Sequence, residues 1–227
     1  MTASRSNPLV VALDTADLEG AEDLARRLAG NVRMVKVGLE LYTAAGPASV
    51  ERLRKHAPVF LDLKIHDIPT TAAGAARVAG RLGAAMLTVH ALGGPDMVRA
   101  VVDGAARGAA EKGSEPPAVV AVTVLSSLAE AAGASPASLA FEAVDAGARG
   151  AVVSGDDVEV VREALGPGPV VVVPGIRPEG RGANDHVRVL TPAEALEAGA
   201  DLLVIGRPIT EASDPAAAAQ GILRGLP

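Results

Sequence analysis

Cysteine is absent from the 227 residues, which excludes a disulfide framework, a thiol nucleophile and a zinc ribbon. Tryptophan is absent too, and the aromatic side chains are limited to Tyr42, Phe60 and Phe141. Valine, leucine, isoleucine and alanine must therefore fill the core. So few rings offer no platform on which bases could stack, and the net charge of −6 comes with no basic run; nucleic acid is not an expected partner. No apolar stretch approaches the ~18 residues of a membrane span, and Met1 to Asn7 is polar, without the apolar centre of a signal peptide. The expectation is a cytoplasmic protein that does not engage a membrane, with residues 1–7 disordered.

What is present is alternation. Apolar residues make up 49% of the chain, and they fall into short runs separated by helical patterns. Pro8 to Asp14 suits a strand buried on both faces, as parallel sheets require. Asp17 can cap a helix in which Leu18, Ala21, Ala25 and Leu28 recur at helical spacing until Gly30 ends it. Val32 to Gly38 is a second strand, and Pro47 opens a helix carrying Val50 and Leu53. Val59 to Leu63 is a third strand, with a helix from about Thr71 to Leu82. Strands at Ala85 to His90 and Ala118 to Leu125 flank a helix that follows Gly93-Gly94-Pro95. Gly150 to Ser154 and Val170 to Val173 enclose a helical Asp156 to Leu165, and Asp201 to Ile205 precedes a last helix after Pro215. About eight strand–helix units in a chain of this length predict a (β/α)₈ barrel, an α/β fold forming a single domain over residues 1–227. A doubly wound open sheet is the alternative, but no G-x-G-x-x-G follows the first strand.

The polar residues decide where to look for chemistry. Asp14, Lys36, Asp62, Lys64, His90, Ser126 and Arg207 all stand at or just past the C-terminal ends of predicted strands, and in a barrel those ends converge on one face. The densest stretch is Phe60-Leu61-Asp62-Leu63-Lys64-Ile65-His66-Asp67. Residues two apart on a strand share a face, so Asp62 and Lys64 point the same way, and Asp67 follows where the chain turns off. An Asp62–Lys64 pair that merely plugs a core is the plain alternative. The recurrence of polar residues at one end of every strand favours a site instead. Gly206 and Arg207 close the last strand with room for a ligand and a planar fork of donors. The Gly-rich segment from Pro174 to His186, long for a βα connection, adds Arg177 and Arg181. Together they form a candidate phosphate grip. His56 is expected to end a surface helix, and His66 and His90 to make structural hydrogen bonds near the site rather than act as acids.

Taken together, Ala12-Leu13-Asp14, Lys36-Val37-Gly38, Asp62-Leu63-Lys64-Ile65-His66-Asp67-Ile68-Pro69, Val122 to Ser126, Pro174-Gly175-Ile176-Arg177-Pro178 and Ile205-Gly206-Arg207-Pro208 resemble the orotidine 5′-phosphate decarboxylase family over almost the whole chain. The resemblance implies a (β/α)₈ homodimer that converts orotidine 5′-monophosphate to UMP and CO₂ in pyrimidine biosynthesis, with no metal and no organic cofactor. It implies that Lys64 is cation and then proton donor at C6, held by Lys36 and Asp67, with Asp62 near the substrate carboxylate. Asp14 and Lys36 would hold ribose hydroxyls and Ser126 the base edge. Arg177, Gly206 and Arg207 would hold the phosphate, and Pro174 would also line the substrate site. Asp67, Ile68 and Thr71 would reach into the partner subunit's site. One position departs from the pattern: His186 stands where the family usually carries a glutamine between phosphate and base. It is expected to be a weaker or pH-sensitive latch, with Asn184 or a shifted loop as the alternative donor. Two rivals remain. One is a Mg²⁺-dependent sugar-phosphate decarboxylase or aldolase of the same superfamily, against which Lys36 argues, since it would repel the ion. The other is a non-catalytic sensor of phosphate ligands.

Overall fold

A computed structural model describes residues 7–124, 135–177 and 190–227. Eight parallel strands close into a barrel in sequence order, β1 pairing with β8. They are β1 (Leu9–Ala12), β2 (Met34–Val37), β3 (Val59–Ile65), β4 (Met86–His90), β5 (Ala118–Val122), β6 (Gly150–Val152), β7 (Val170–Pro174) and β8 (Leu202–Ile205). The helices around them are α1 (Leu18–Leu28), α2 (Leu39–Ala45), α3 (Pro47–Leu53), α4 (Pro69–Leu82), α5 (Gly94–Ala110), α6 (Pro136–Asp145), α7 (Val158–Leu165), α8 (Pro192–Glu197), α9 (Arg207–Thr210) and α10 (Pro215–Arg224). The (β/α)₈ expectation holds. Strand ends differ by a few residues: β3 runs on to Ile65, and β5 stops at Val122 where Leu125 was expected. Asn7 is tied down, its amide donating to the Asn31 carbonyl and its oxygen accepting from the Leu9 N–H. The rest of the segment expected to be disordered lies outside the described residues.

The period of two along each strand separates two cores. Val10, Ala12, Met34, Phe60, Met86, Val120, Val172, Leu202 and Val204 fill the barrel itself. The residues between them, such as Leu9, Val11, Val35, Leu61, Leu87 and Ile205, face the helices. This is why the strands read as continuous apolar runs. Asp17 caps α1 as expected, accepting from the Glu19 N–H. A capping box of Thr191 and Glu194 starts α8.

Helices α4 and α5 approach each other more closely than ordinary side chains allow. A Cβ on Gly104 would strike the Ala73 carbonyl, one on Gly108 the Arg77 carbonyl and one on Gly80 the Ala105 carbonyl. These obstacles are backbone and cannot swing aside. Gly108→Ala is therefore expected to force the helices apart and destabilise the protein by about 1–3 kcal/mol, read as a lowered thermal midpoint. An unchanged midpoint would contradict the close packing.

Candidate active site

Four charged side chains form an alternating chain at the C-terminal mouth of the barrel. Lys36 lies two residues beyond Met34 on β2, so it points into the barrel above that side chain. Its Nζ donates to Asp14 Oδ1 at 3.1 Å and stands 3.5 Å from Asp62 Oδ2. Lys64 Nζ then contacts both oxygens of Asp62 at 2.9 Å. The Lys36 and Asp62 side chains are only 11% and 12% exposed, whereas Lys64 is 31% exposed. The inner charges are thus shielded and mutually paired, as burial demands, and the outermost ammonium faces the mouth. Gly38 leaves this group its space, because a Cβ there would sit 3.0 Å from Lys36 Nζ and 3.1 Å from Asp14 Oδ1.

Simple alternation does not place Lys64. Between the pairs Leu61–Leu87 and Ile65–Val89, β3 advances four residues while β4 advances two. The bulge bends the end of β3. At Lys64 φ is +50°, the one positive value outside glycine among the described residues, a conformation that costs of order 1–3 kcal/mol. The shared face of Asp62 and Lys64 is therefore built by a strained bulge rather than by a regular strand.

The other predicted residues divide. Asp67 is exposed, and its carboxylate accepts from the Ile68 N–H at 2.7 Å rather than meeting Lys64 within the chain. Ile68 and Thr71, at the start of α4, are also exposed. Arg207 opens α9 directly after Gly206, exposed and without an ion pair among the described residues. Pro174 ends β7, and the Arg177 N–H donates to the Leu190 carbonyl at 3.3 Å, tying together the two ends of the connection that includes His186. Ser126, Arg181, Asn184 and His186 lie outside the described residues.

A sequence model of the Orotidine 5′-phosphate decarboxylase / HUMPS family matches residues 7–222. The chain belongs to this family. Two curated relatives bear the name orotidine 5′-phosphate decarboxylase, which is the name of a carboxy-lyase. The protein from Anaeromyxobacter dehalogenans is 51% identical, over 97% of this chain and 99% of its own length. That from Paramagnetospirillum magneticum is 52% identical, over 94% and 95%. The crystal structure of orotidine 5′-phosphate decarboxylase from Lactobacillus acidophilus superposes with a TM-score of 0.82 at 36% identity, covering 96% of this chain and 98% of that one.

In this family member Thr88 also belongs to the charged cluster, although nothing in the residue pattern marks it as polar chemistry at a strand end. It is wholly buried on β4, donates to Asp62 Oδ1 at 3.1 Å and accepts the Lys64 N–H at 2.7 Å. Its position two residues after Met86, hence facing the barrel interior, was the available signal. His90 makes a hydrogen bond to the backbone, as expected. Its ring stacks on that of His66 at 5.1 Å, and its Nδ1 accepts from the Leu92 N–H at 3.4 Å. Burial, reinforced by the neighbouring His66 and Lys64 charges, holds His90 below its ordinary value of 6.5. The unfolded chain therefore binds this proton more readily. The stability that depends on a neutral His90 is complete above about pH 6.5 and is lost as the pH falls through the lowered folded value. Between about pH 7 and pH 5 the thermal midpoint should fall less steeply in His90→Asn than in the wild type; equal slopes would contradict this.

A separate cavity of about 550 Å³ is lined by Glu51, Arg54, Arg81, Gly83, Lys112 and Ser114. These residues lie in the last turns of α3 and α4 or just past the C-terminal ends of α3, α4 and α5, so the cavity opens on the opposite face of the barrel. Its cations complement helix ends rich in unpaired carbonyls, and Arg54 Nη1 donates to the Leu82 carbonyl at 3.1 Å. Among the described residues no three acidic or histidine side chains converge as metal ligands, and no helix is long and apolar enough to cross a membrane.

Proposed function

We propose that the protein decarboxylates orotidine 5′-phosphate at C6, yielding UMP and CO₂ for pyrimidine biosynthesis, without metal or organic cofactor. The observation that carries this is the alternating Asp14–Lys36–Asp62–Lys64 chain at the barrel mouth. Breaking the C6–carboxylate bond leaves an electron pair in the ring plane, where no π system accepts it. A preorganised ammonium at that carbon stabilises the developing charge and then supplies the proton, and Lys64 is the outermost cation of the chain. Its own neutral amine is reprotonated from solvent. Asp62 would lie beside the substrate carboxylate. Two such charges about 4 Å apart repel by about 4 kcal/mol at an effective dielectric of about 20, and loss of CO₂ relieves this.

Asp14 and Lys36 would hold the ribose hydroxyls, and Ser126 the base edge. Arg177, Gly206 and Arg207 would hold the phosphate, with Pro174 lining the site and His186 as a latch over it. Binding at the phosphate, remote from the reacting carbon, would offset the cost of ordering the site. A homodimer in which Asp67, Ile68 and Thr71 complete the neighbouring site is supported by their exposure. Leu39, Ile68 and Leu92, on three successive connections at the same rim, are exposed apolar residues, Ile68 to 66%. The test is the ultraviolet absorbance of orotidine 5′-phosphate after addition of purified protein with EDTA. Loss of the substrate band is expected. No change with or without EDTA would sink the assignment, and activity only without EDTA would favour the Mg²⁺-dependent members of the superfamily.

A further inference from the structure

We propose that Thr88 is a positioning residue for the reacting pair: a single buried hydroxyl sets both the Asp62 carboxylate and the Lys64 backbone, an inference that rests on the decarboxylase function proposed above. A carboxylate can only accept, so the Thr88 proton is committed to Asp62 Oδ1 at 3.1 Å. The lone pairs remain, and one accepts the Lys64 N–H at 2.7 Å. That N–H belongs to the residue at φ +50°, inside the stretch where β3 gains two residues on β4. An offset of this kind shifts backbone groups out of the regular ladder, and a side chain from β4 takes the place of a ladder carbonyl. The hydroxyl thus spans the bulge at both ends, holding the acid on one side and the backbone that aims the ammonium on the other.

Thr88 is fully buried, with no route to substrate while Asp62 and Lys64 stand over it, so it acts through them. A role in packing and a role in positioning predict opposite orders among substitutions. Packing follows volume: Val matches Thr, while Ser and Ala leave a gap. Positioning follows the hydroxyl: Ser keeps both hydrogen bonds, whereas Val and Ala keep neither.

The experiment measures kcat and KM for orotidine 5′-phosphate in Thr88→Ser, Thr88→Val and Thr88→Ala, alongside thermal midpoints. Thr88→Ser should stay within about threefold of the wild type in kcat, while Thr88→Val and Thr88→Ala should fall about 10–100-fold, with KM moving less than about threefold. If Thr88→Val does not fold, Thr88→Cys replaces it, similar in size but a weak hydrogen-bonding partner, and should fall likewise. A Val or Cys variant with near-wild-type kcat, or activities that follow volume, would overturn the inference. Wild-type protein inert toward orotidine 5′-phosphate would instead overturn the proposed function, a separate result read from the same assay.

Discussion

Lys64→Ala is expected to lower the rate of orotidine 5′-phosphate decarboxylation by about 10⁴-fold or more, the largest effect of any single substitution. On the proposed mechanism, two functions leave with the ammonium. The proton donor is lost, a contribution of about 10²–10⁴-fold, and so is the preorganised charge at the reacting carbon, a further 10²–10³-fold by order of magnitude. The effects of groups acting as a unit do not multiply in full, hence the lower bound. The substitution also leaves Asp62 with Lys36 and Thr88 as its remaining partners. Fold stability should change much less than activity, since Lys64 stands at the mouth rather than in either core. The decisive measurement is a single-turnover absorbance trace with enzyme in excess, together with a thermal midpoint. A loss below about tenfold would remove Lys64 from the chemistry. A non-catalytic ligand sensor would show an unaltered ligand response in the same variant.

Mixing inactive Lys64→Ala with inactive Asp67→Ala should restore activity. Within one chain the Asp67 carboxylate engages its own Ile68 N–H and is exposed, so it is available to a neighbouring subunit. If Asp67 serves the partner's site, each hybrid dimer carries one site with both lesions and one with neither. Random exchange makes about half the dimers hybrid, so about a quarter of the wild-type activity should return. Each variant alone should stay at its own low level. If exchange is shown by mass or fluorescence and no activity returns, Asp67 acts within its own chain or not at all. The comparison is internal and needs no assumption about how far either single substitution lowers the rate.

Much of the molecule was legible from residue order. The apolar runs placed eight strands, because a strand in a barrel is buried on both faces and shows it over a few residues. Some helices escaped: α9 has four residues, too few to show a period, and α2 follows β2 so directly that only the proline opening α3 stood out. The residue types of the site were legible as well, since Asp14, Lys36, Asp62 and Lys64 interrupt apolar strands at their C-terminal ends, where charge requires a reason.

Residue order by itself therefore determined the barrel, the face that carries chemistry and the four charges gathered there, because alternation and burial are local rules. The tertiary structure alone decided how those charges meet. A bulge is an offset between two strands, and neither strand announces it. The positive φ at Lys64 and the hydrogen bonds of Thr88 exist only once β3 and β4 lie side by side. Burial separates the four charges for the same reason: Lys36 and Asp62 are enclosed by neighbouring strands, while Lys64 is carried by the bulge to the open mouth.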